Sequence, residues 1–130
     1  MDNASNGYYG YIVASVKTAG GALPVENAVV TIRDENGNIL YVKFTDRSGQ
    51  TPRLRVPAPP ISNTESPDMP GPPFFNYNID TDKEGFISVR NVSVPVYPGI
   101  TSIQPVELLP VPEGASPPPA IFTDNVPPSL

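Results

Sequence analysis

Histidine, cysteine and tryptophan are all absent from this 130-residue sequence. Without cysteine, the chain can form neither a disulfide framework nor a thiolate metal site. Without histidine and cysteine, it lacks the side chains that most often move protons or attack substrates, which leaves carboxylate pairs, Ser–Lys pairs or a metal as routes to catalysis. Without tryptophan, stacking on the face of a sugar would depend on tyrosine.

Positive charge and long apolar runs are also scarce. Eight Lys and Arg residues face thirteen Asp and Glu, and the net charge of −5 would repel a phosphate backbone, so we expect no nucleic-acid binding. No run approaches the roughly 20 apolar residues of a membrane-spanning helix, so we expect no membrane span. The N-terminal residues lack the basic start and apolar stretch of a signal peptide, so none is visible. These features do not identify the cellular compartment.

Proline, by contrast, is abundant and unevenly distributed. Of nineteen prolines, seven fall within residues 57–73 and ten more occur from Pro95 onward. The distribution predicts a lead-in at residues 1–9, one folded domain at residues 10–112, and a proline-rich loop at 57–73. Residues 113–130 have the composition of a proline-rich tail that cannot build a core of its own.

Apolar residues alternate with polar ones in several segments, whereas helical periodicity is nearly absent. The first strand is predicted from Gly10 to Lys17. A later segment, "DENGN", contains Asn36-Gly37, a pair that predicts a two-residue type I′ hairpin. In the three segments around these signals the residues expected to face the core are Ile12, Ala14, Val16, Ala28, Val30, Ile32, Leu40, Val42 and Phe44, with Tyr41 and Lys43 outside.

The remaining segments complete an all-β pattern. "TDRSGQT" predicts a second turn, and "PRLRV" after it a short edge strand, because Pro52 cannot donate to a ladder. "FFNYNIDTD" places Tyr77 and Ile79 on one face, and "FISVRNVSVPVY" and "IQPVELLPV" predict two further strands. Short strands separated by turns at this spacing predict an all-β, seven-stranded Greek-key β-sandwich.

Three motifs occur in an order found in a known superfamily. "PVENAVVTI" (24–32), "TDRSG" (45–49) and Gly85-Phe86 resemble the transthyretin-like (prealbumin-like), carboxypeptidase regulatory-like β-sandwich domain. The added segments "NVSV" and "PGITSIQPVELLPVP" resemble the accessory β-domain of clostridial spore cortex-lytic enzymes. The resemblance covers Tyr8 to Pro112 and rests on short motifs.

This resemblance implies a non-catalytic function. The resemblance implies that hydrolysis in the spore enzymes belongs to a separate catalytic region. No such region fits into 130 residues. The implied role is therefore not that of an enzyme but of a non-catalytic accessory or protein-interaction module, associated with spore cortex or cell-wall proteins. It implies the spore or the mother cell as the compartment.

The charged residues give no competing catalytic, metal or cofactor site. The spacing of Asp34, Asn36 and Asn38 matches the start of a calcium loop, but the bidentate glutamate that should follow is missing. These residues, like Asp80, Asp82 and Glu84, are better interpreted as turn formers. The three lysines, Lys17, Lys43 and Lys83, are expected to be solvated, so we expect no internal isopeptide bond.

Two surfaces remain as candidates for binding. Tyr9 and Tyr11 share one outward face of the first strand, with Tyr8 and Tyr41 also expected outside. The loop before "FFNYN" offers Met69, Phe74 and Phe75, although a crossover stiffened by proline explains that loop as well. The partner would be a protein or, if the chain is a carbohydrate-binding module, a cell-wall glycan held by tyrosine stacking. No cofactor is expected.

Overall fold

A computed structural model of the protein describes residues 8–60, 73–116 and 118–124. All regular secondary structure within these ranges is β-strand, which confirms the predicted all-β class. The strands are β1 (Tyr8–Thr18), β2 (Leu23–Pro24), β3 (Val29–Arg33), β4 (Ile39–Phe44), β5 (Leu54–Ala58), β6 (Phe75–Asp82), β7 (Val89–Val96), β8 (Thr101–Glu107) and β9 (Ile121–Asp124). The described ranges hold no helix long and apolar enough to cross a membrane.

The strands form two sheets. In the first, β1 is central: β2 and β5 pair antiparallel with its two ends, and β8 runs parallel to it along the other side. The second sheet has the order β4-β3-β6-β7-β9, antiparallel except for the parallel β7–β9 pair. The core lies between the two sheets, as the predicted sandwich requires.

Alternate residues of the central strands fill this core. Ile12, Ala14 and Val16 of β1 are fully buried, and so are Val30 and Ile32 of β3, as their alternation predicted. Burying a Val or Ile side chain stabilises a fold by roughly 1.5–3 kcal/mol. Tyr77 and Ile79 of β6 face the same interior, also as predicted. The alternation of these strands therefore identifies most of the core.

The loop between β3 and β4 differs from the predicted type I′ hairpin. Gly37 has a φ of +88°, but Asn36 does not share this positive φ. The Gly37 amide donates to the carbonyl of Asp34 at 3.0 Å, which closes a turn of four residues and places glycine one step later than a type I′ turn would. Arg33 then pairs with Ile39, and the register shifts beside Ile32. The loop contains a β-bulge.

The side chains of β4 face the opposite way from the prediction. Leu40, Val42 and Phe44 were expected in the core, yet they are 38%, 52% and 60% exposed. Tyr41, expected outside, is half-buried and packs against the core. Beyond the bulge Tyr41 lies opposite the buried Ile32, the same pair that a two-residue turn at Asn36-Gly37 would form, so Tyr41 faces the core and its neighbours in β4 face outward. Lys43 is exposed, as predicted, since it lies at the sheet edge.

Both predicted end segments contribute strands. Tyr8 and Tyr9, assigned to the lead-in, begin β1, and residues 121–124, assigned to the tail, form β9 beside β7. Phe122 of β9 is 62% exposed, so this strand extends the sheet without adding to the core. Pro57 belongs to the edge strand β5, and residues 61–72 of the predicted loop lie outside the described ranges.

The "TDRSGQT" turn joins the two sheets through buried hydroxyl groups. The Thr45 hydroxyl donates to the Val25 carbonyl at 2.6 Å and accepts from the Ala28 amide at 2.9 Å. The Thr51 hydroxyl accepts from the Ala14 amide at 3.0 Å. Between them the Asp46 carboxylate accepts the amides of Ser48 and Gln50, as in an Asx turn. The turn thus belongs to the folded body, not to a spacer.

Two tyrosine hydroxyls also link the sheets. Tyr41 donates to the carbonyl of Arg55 at 2.7 Å, and Tyr77 donates to the carbonyl of Pro57. Tyr77 is 3% exposed. Burial, with a smaller contribution from the charges of Asp34 and Glu35, raises the pKa of Tyr77 from 10.0 to about 12. The neutral phenol is therefore the form that the fold retains.

We expect Tyr77 to destabilise the protein at alkaline pH. The unfolded chain ionises this group near pH 10 and the folded chain near pH 12, so the stability it contributes is present below pH 10 and is lost as the pH rises toward 12. The loss should reach about 1.4 kcal/mol by pH 11. Urea unfolding from pH 8 to 11 measures it. Tyr77→Phe should be less stable than the original protein at pH 8 but should lose less stability as the pH rises to 11. Parallel curves for both proteins would contradict the assignment.

Candidate interaction surface

Tyr9 and Tyr11 share the outer face of β1, as predicted, and two arginines cover them. The guanidinium carbon of Arg53 lies 4.1 Å from the ring centroid of Tyr11, and that of Arg55 lies 4.3 Å from the ring centroid of Tyr9. The pairing of Tyr11 with Arg55 in the β1–β5 ladder brings the four side chains together. We call Tyr9, Tyr11, Arg53 and Arg55 the Arg–Tyr surface.

The two arginines of this surface differ from the other arginines in their charge partners. Among the residues the structure describes, no carboxylate pairs with Arg53 or Arg55, whereas Arg33 and Arg90 both bind Asp80. An exposed cation–π contact contributes about 0.5–1 kcal/mol, which is enough to restrict a guanidinium without using its N–H donors. The stacked arginines are therefore oriented in advance for a carboxylate or carbonyl from outside.

Apolar side chains continue the surface along the sheet. Val13 follows Tyr11 on the same face and pairs with Ile103 of β8, which is 64% exposed. Tyrosine and arginine beside exposed aliphatic groups are the composition that protein interfaces favour.

The second predicted surface lies at the same end of the sandwich. The ring of Phe74 packs against that of Tyr97, with centroids 5.4 Å apart, and Phe75 is 43% exposed. The turn after Tyr97 reaches the first sheet, because the Gly99 amide donates to the Tyr9 carbonyl at 2.8 Å. Phe74 and Tyr9 therefore approach the same turn. Met69, the third predicted residue of this surface, lies outside the described residues.

A polar cleft on the second sheet was missed by the sequence analysis. Asp80, expected in a turn, lies within β6 and accepts from Arg33 at 3.1 Å and from Arg90 at 2.5 and 2.9 Å. Hydrogen bonding and charge from Asp80 raise the pKa of Arg90. A cleft of about 290 Å³ borders this group. Its lining also includes Asp82, Ser88, Val89, Ala120 and Phe122.

The chemistry available in this cleft is limited. Both oxygens of Asp80 are held by guanidinium groups, and Asp82 accepts the hydroxyl of Ser88. The serine lacks a partner of the kind that activates a nucleophile, since no imidazole exists in the chain and no lysine lines the cleft. The arrangement suits hydrogen bonding to a ligand better than proton transfer.

Asp34, one of the acidic residues predicted to form turns, accepts hydrogen bonds from its own turn. One oxygen of Asp34 accepts the amides of Asn36 and Asn38, both at 2.9 Å, and the other accepts the Asn38 side chain. The backbone bond from Asn38 is the largest cause that lowers the pKa of Asp34. No group of three acidic side chains comes together across residues 8–60, 73–116 and 118–124. Lys17 is exposed, as expected.

Comparison with solved structures identifies the fold. Catechol 1,2-dioxygenase from Acinetobacter sp. ADP1, inhibited by bound mercury, is similar with a TM-score of 0.56 at 14% identity over 93% of this chain and 60% of that chain. The 3-chlorocatechol 1,2-dioxygenase of Rhodococcus opacus 1CP gives a TM-score of 0.54 at 15% identity over 85% of this chain and 64% of that chain. The minor pilin GBS52 of Streptococcus agalactiae gives a TM-score of 0.53 at 15% identity over 86% of this chain and 49% of that chain.

At such low identity these similarities establish the β-sandwich fold and nothing further. This chain spans less than two thirds of the length of each of these three proteins. No protein-family model matches the sequence, and no curated protein matches it either.

Proposed function

We propose that this chain is a non-catalytic protein-interaction module that binds through the Arg–Tyr surface. The observation that carries the proposal is the stacking of Arg53 on Tyr11 and of Arg55 on Tyr9, two guanidinium groups that form no ion pair with any carboxylate in the described part of this acidic chain. The partner would present carboxylates or carbonyl oxygens to these donors and apolar groups to Ile103. The lack of histidine and cysteine supports a role without catalysis.

The setting we propose is the cell wall or the spore cortex, with the chain as an accessory domain of the transthyretin-like type. Its motifs at 24–32 and 45–49 support this setting by their resemblance to the accessory β-domain of spore cortex-lytic enzymes. One of the similar structures is the minor pilin of a gram-positive pathogen, and it has a similar β-sandwich fold.

The experiment compares arginine variants in a binding assay. The immobilised protein is incubated with spore-coat and wall-protein extracts, and the protein it retains is identified and titrated against each variant. Arg53→Gln/Arg55→Gln should weaken that binding by at least about tenfold, as for central arginines of interfaces. Arg55→Lys should weaken it as well, because lysine keeps the charge but loses the planar stacking and the paired donors.

The matched control is Arg47→Gln, which removes an exposed arginine in the "TDRSGQT" turn. It should leave binding unchanged, whereas equal losses in both kinds of variant would reduce the effect to net charge. A ligand retained equally by all variants would contradict the Arg–Tyr surface.

A carbohydrate-binding module is the second candidate, and the polar cleft favours it. Phe122 is exposed beside Asp82 and Ser88, which provides an aromatic ring next to hydrogen-bonding groups. The rings of Tyr9, Tyr11 and Phe122 each have an arginine guanidinium over one face, so a sugar would stack on the other face of any of them. Retention on purified cortex peptidoglycan that is lost in Phe122→Ala but kept in Arg53→Gln/Arg55→Gln would establish the glycan function in place of the first proposal.

A further inference from the structure

The edge strand β4 exposes an unusual amount of apolar surface. It ends the second sheet, and Ile39, Leu40, Val42 and Phe44 are all exposed. Natural edge strands are normally protected from further pairing by several charges, by proline or by a covering segment. Lys43 is the single charged residue of β4, and the strand contains no proline.

In the part of the chain that the structure describes, no strand pairs with the outer edge of β4. The Thr45 amide donates to the carbonyl of Ala28, which marks this pair as hydrogen-bonded in the β3–β4 ladder. Because bonded and non-bonded pairs alternate in an antiparallel ladder, Lys43 and Tyr41 bond to β3 as well. The N–H and C=O groups of Val42 and Phe44 point away from β3, whereas Leu40 lies at the β-bulge, where the alternation is interrupted.

We propose that β4 pairs antiparallel with β4 of a second copy of this chain, around a two-fold axis at Val42. In this register Val42 faces Val42 of the second copy, and Leu40 faces Phe44. The main-chain groups of Val42 point away from β3, so the two Val42 residues become a hydrogen-bonded pair, and Phe44 lies opposite the bulge at Leu40. Their apolar side chains then lie together on the outer face of one ten-stranded sheet.

The sequence of β4 favours a second copy as the occupant, because the strand is complementary to itself in this register. Lys43 lies opposite Tyr41 of the second copy, so no like charges face each other. A two-fold axis at Leu40 would place Asn38 opposite Val42, and one at Phe44 would place Asp46 opposite Val42. The Val42 register alone among these three pairs the strand along its whole length.

A single pair of six-residue strands is a small interface. It belongs to the lower end of the range for specific association, so we expect a dimer that dissociates on dilution. Such a dimer is isologous, and it leaves the Arg–Tyr surface on the other sheet free for a partner.

Single cysteines test the register, since the chain has none of its own. Val42→Cys should form a disulfide-linked dimer under mild oxidation, because hydrogen-bonded antiparallel pairs hold their Cα atoms about 5.5 Å apart, within the range of a disulfide. Leu40→Cys and Phe44→Cys should cross-link when mixed but not when oxidised separately. Ile103→Cys, on the exposed face of the other sheet, is the control and should stay uncross-linked.

Charge pairing provides a second measurement that does not depend on oxidation. Val42→Lys and Val42→Glu should each be monomeric in sedimentation at concentrations where the original protein dimerises, and an equal mixture should recover the dimer. Because Val42 is exposed, thermal unfolding should show both variants folded.

Three results would overturn the proposal. One is a protein that remains monomeric at the highest soluble concentration. Another is Val42→Cys cross-linking no more than Ile103→Cys. The third is slow hydrogen exchange at the Val42 and Phe44 amides in dilute monomer, which would mean that another part of the same chain covers the edge.

Discussion

Gly49→Ala is expected to destabilise the protein by about 3 kcal/mol or more. Gly49 has a φ of +80°, a conformation that costs a residue with a side chain roughly 1–2 kcal/mol. A Cβ atom there would also lie 2.3 Å from the Val16 carbonyl oxygen and 3.1 Å from the Val25 amide nitrogen. Because both neighbours are main chain, β1 or the turn must move.

Gly37→Ala provides the matched control for this change. Gly37 has a φ of +88°, close to that of Gly49, but no atom lies within 4 Å of its Cβ position. It should lose only about 1 kcal/mol. Thermal unfolding of the two variants separates the collision from the dihedral strain, with a midpoint for Gly49→Ala lower by about 10 °C or more than that of the original protein. Equal midpoints would mean that the turn does not pack against β1 as described.

Thr45→Val is expected to cost about 2–4 kcal/mol, although it keeps the volume and shape of the side chain. Thr45 is 2% exposed, and its hydroxyl forms hydrogen bonds with two main-chain groups, the Val25 carbonyl and the Ala28 amide. Valine would leave both groups buried without a hydrogen bond. The free energy of unfolding in urea measures the loss.

Two further variants isolate the hydroxyl from the methyl group. Thr45→Ser keeps the hydroxyl and should lose about 1 kcal/mol, the contribution of one buried methyl. Thr31→Val changes a half-exposed threonine on the outer face of β3 and should have little effect. If Thr45→Val proved no worse than Thr45→Ser, the two main-chain bonds would not be the source of the stability.

Alternation within a strand predicted the core well where the strand is flanked on both sides. Ile12 in β1 and Ile32 in β3 are buried as their parity requires. The prediction failed in β4, because the face of a strand after a hairpin is set by its register with the preceding strand and not by which of its residues are apolar. A two-residue turn at Asn36-Gly37 and the observed bulged loop both place Tyr41 opposite Ile32. The outward orientation of Val42 and Phe44 follows from this register.

The candidate surface was predictable only in part, for a similar reason. The shared face of Tyr9 and Tyr11 follows from their spacing within one strand. Their contact with Arg53 and Arg55 depends on the register between β1 and β5, which are separated by three other strands along the chain. The cleft at Asp80 includes Phe122 from a segment whose composition predicts a tail. The pairing of β1 with β5 and that of β7 with β9 join segments far apart in the chain, so neither can be predicted from the residues next to them.

The parallel pairing of β8 with β1 determines when the first sheet can be completed during synthesis. Tyr11 to Lys17 of β1 pair with Thr101 to Glu107, so the strand made first waits for one of the last strands before its second edge is satisfied. Until the ribosome has released those residues, the nascent chain exposes the β8-facing edge of β1 to any other extended segment. A chain that stops before Thr101 would retain that open edge permanently.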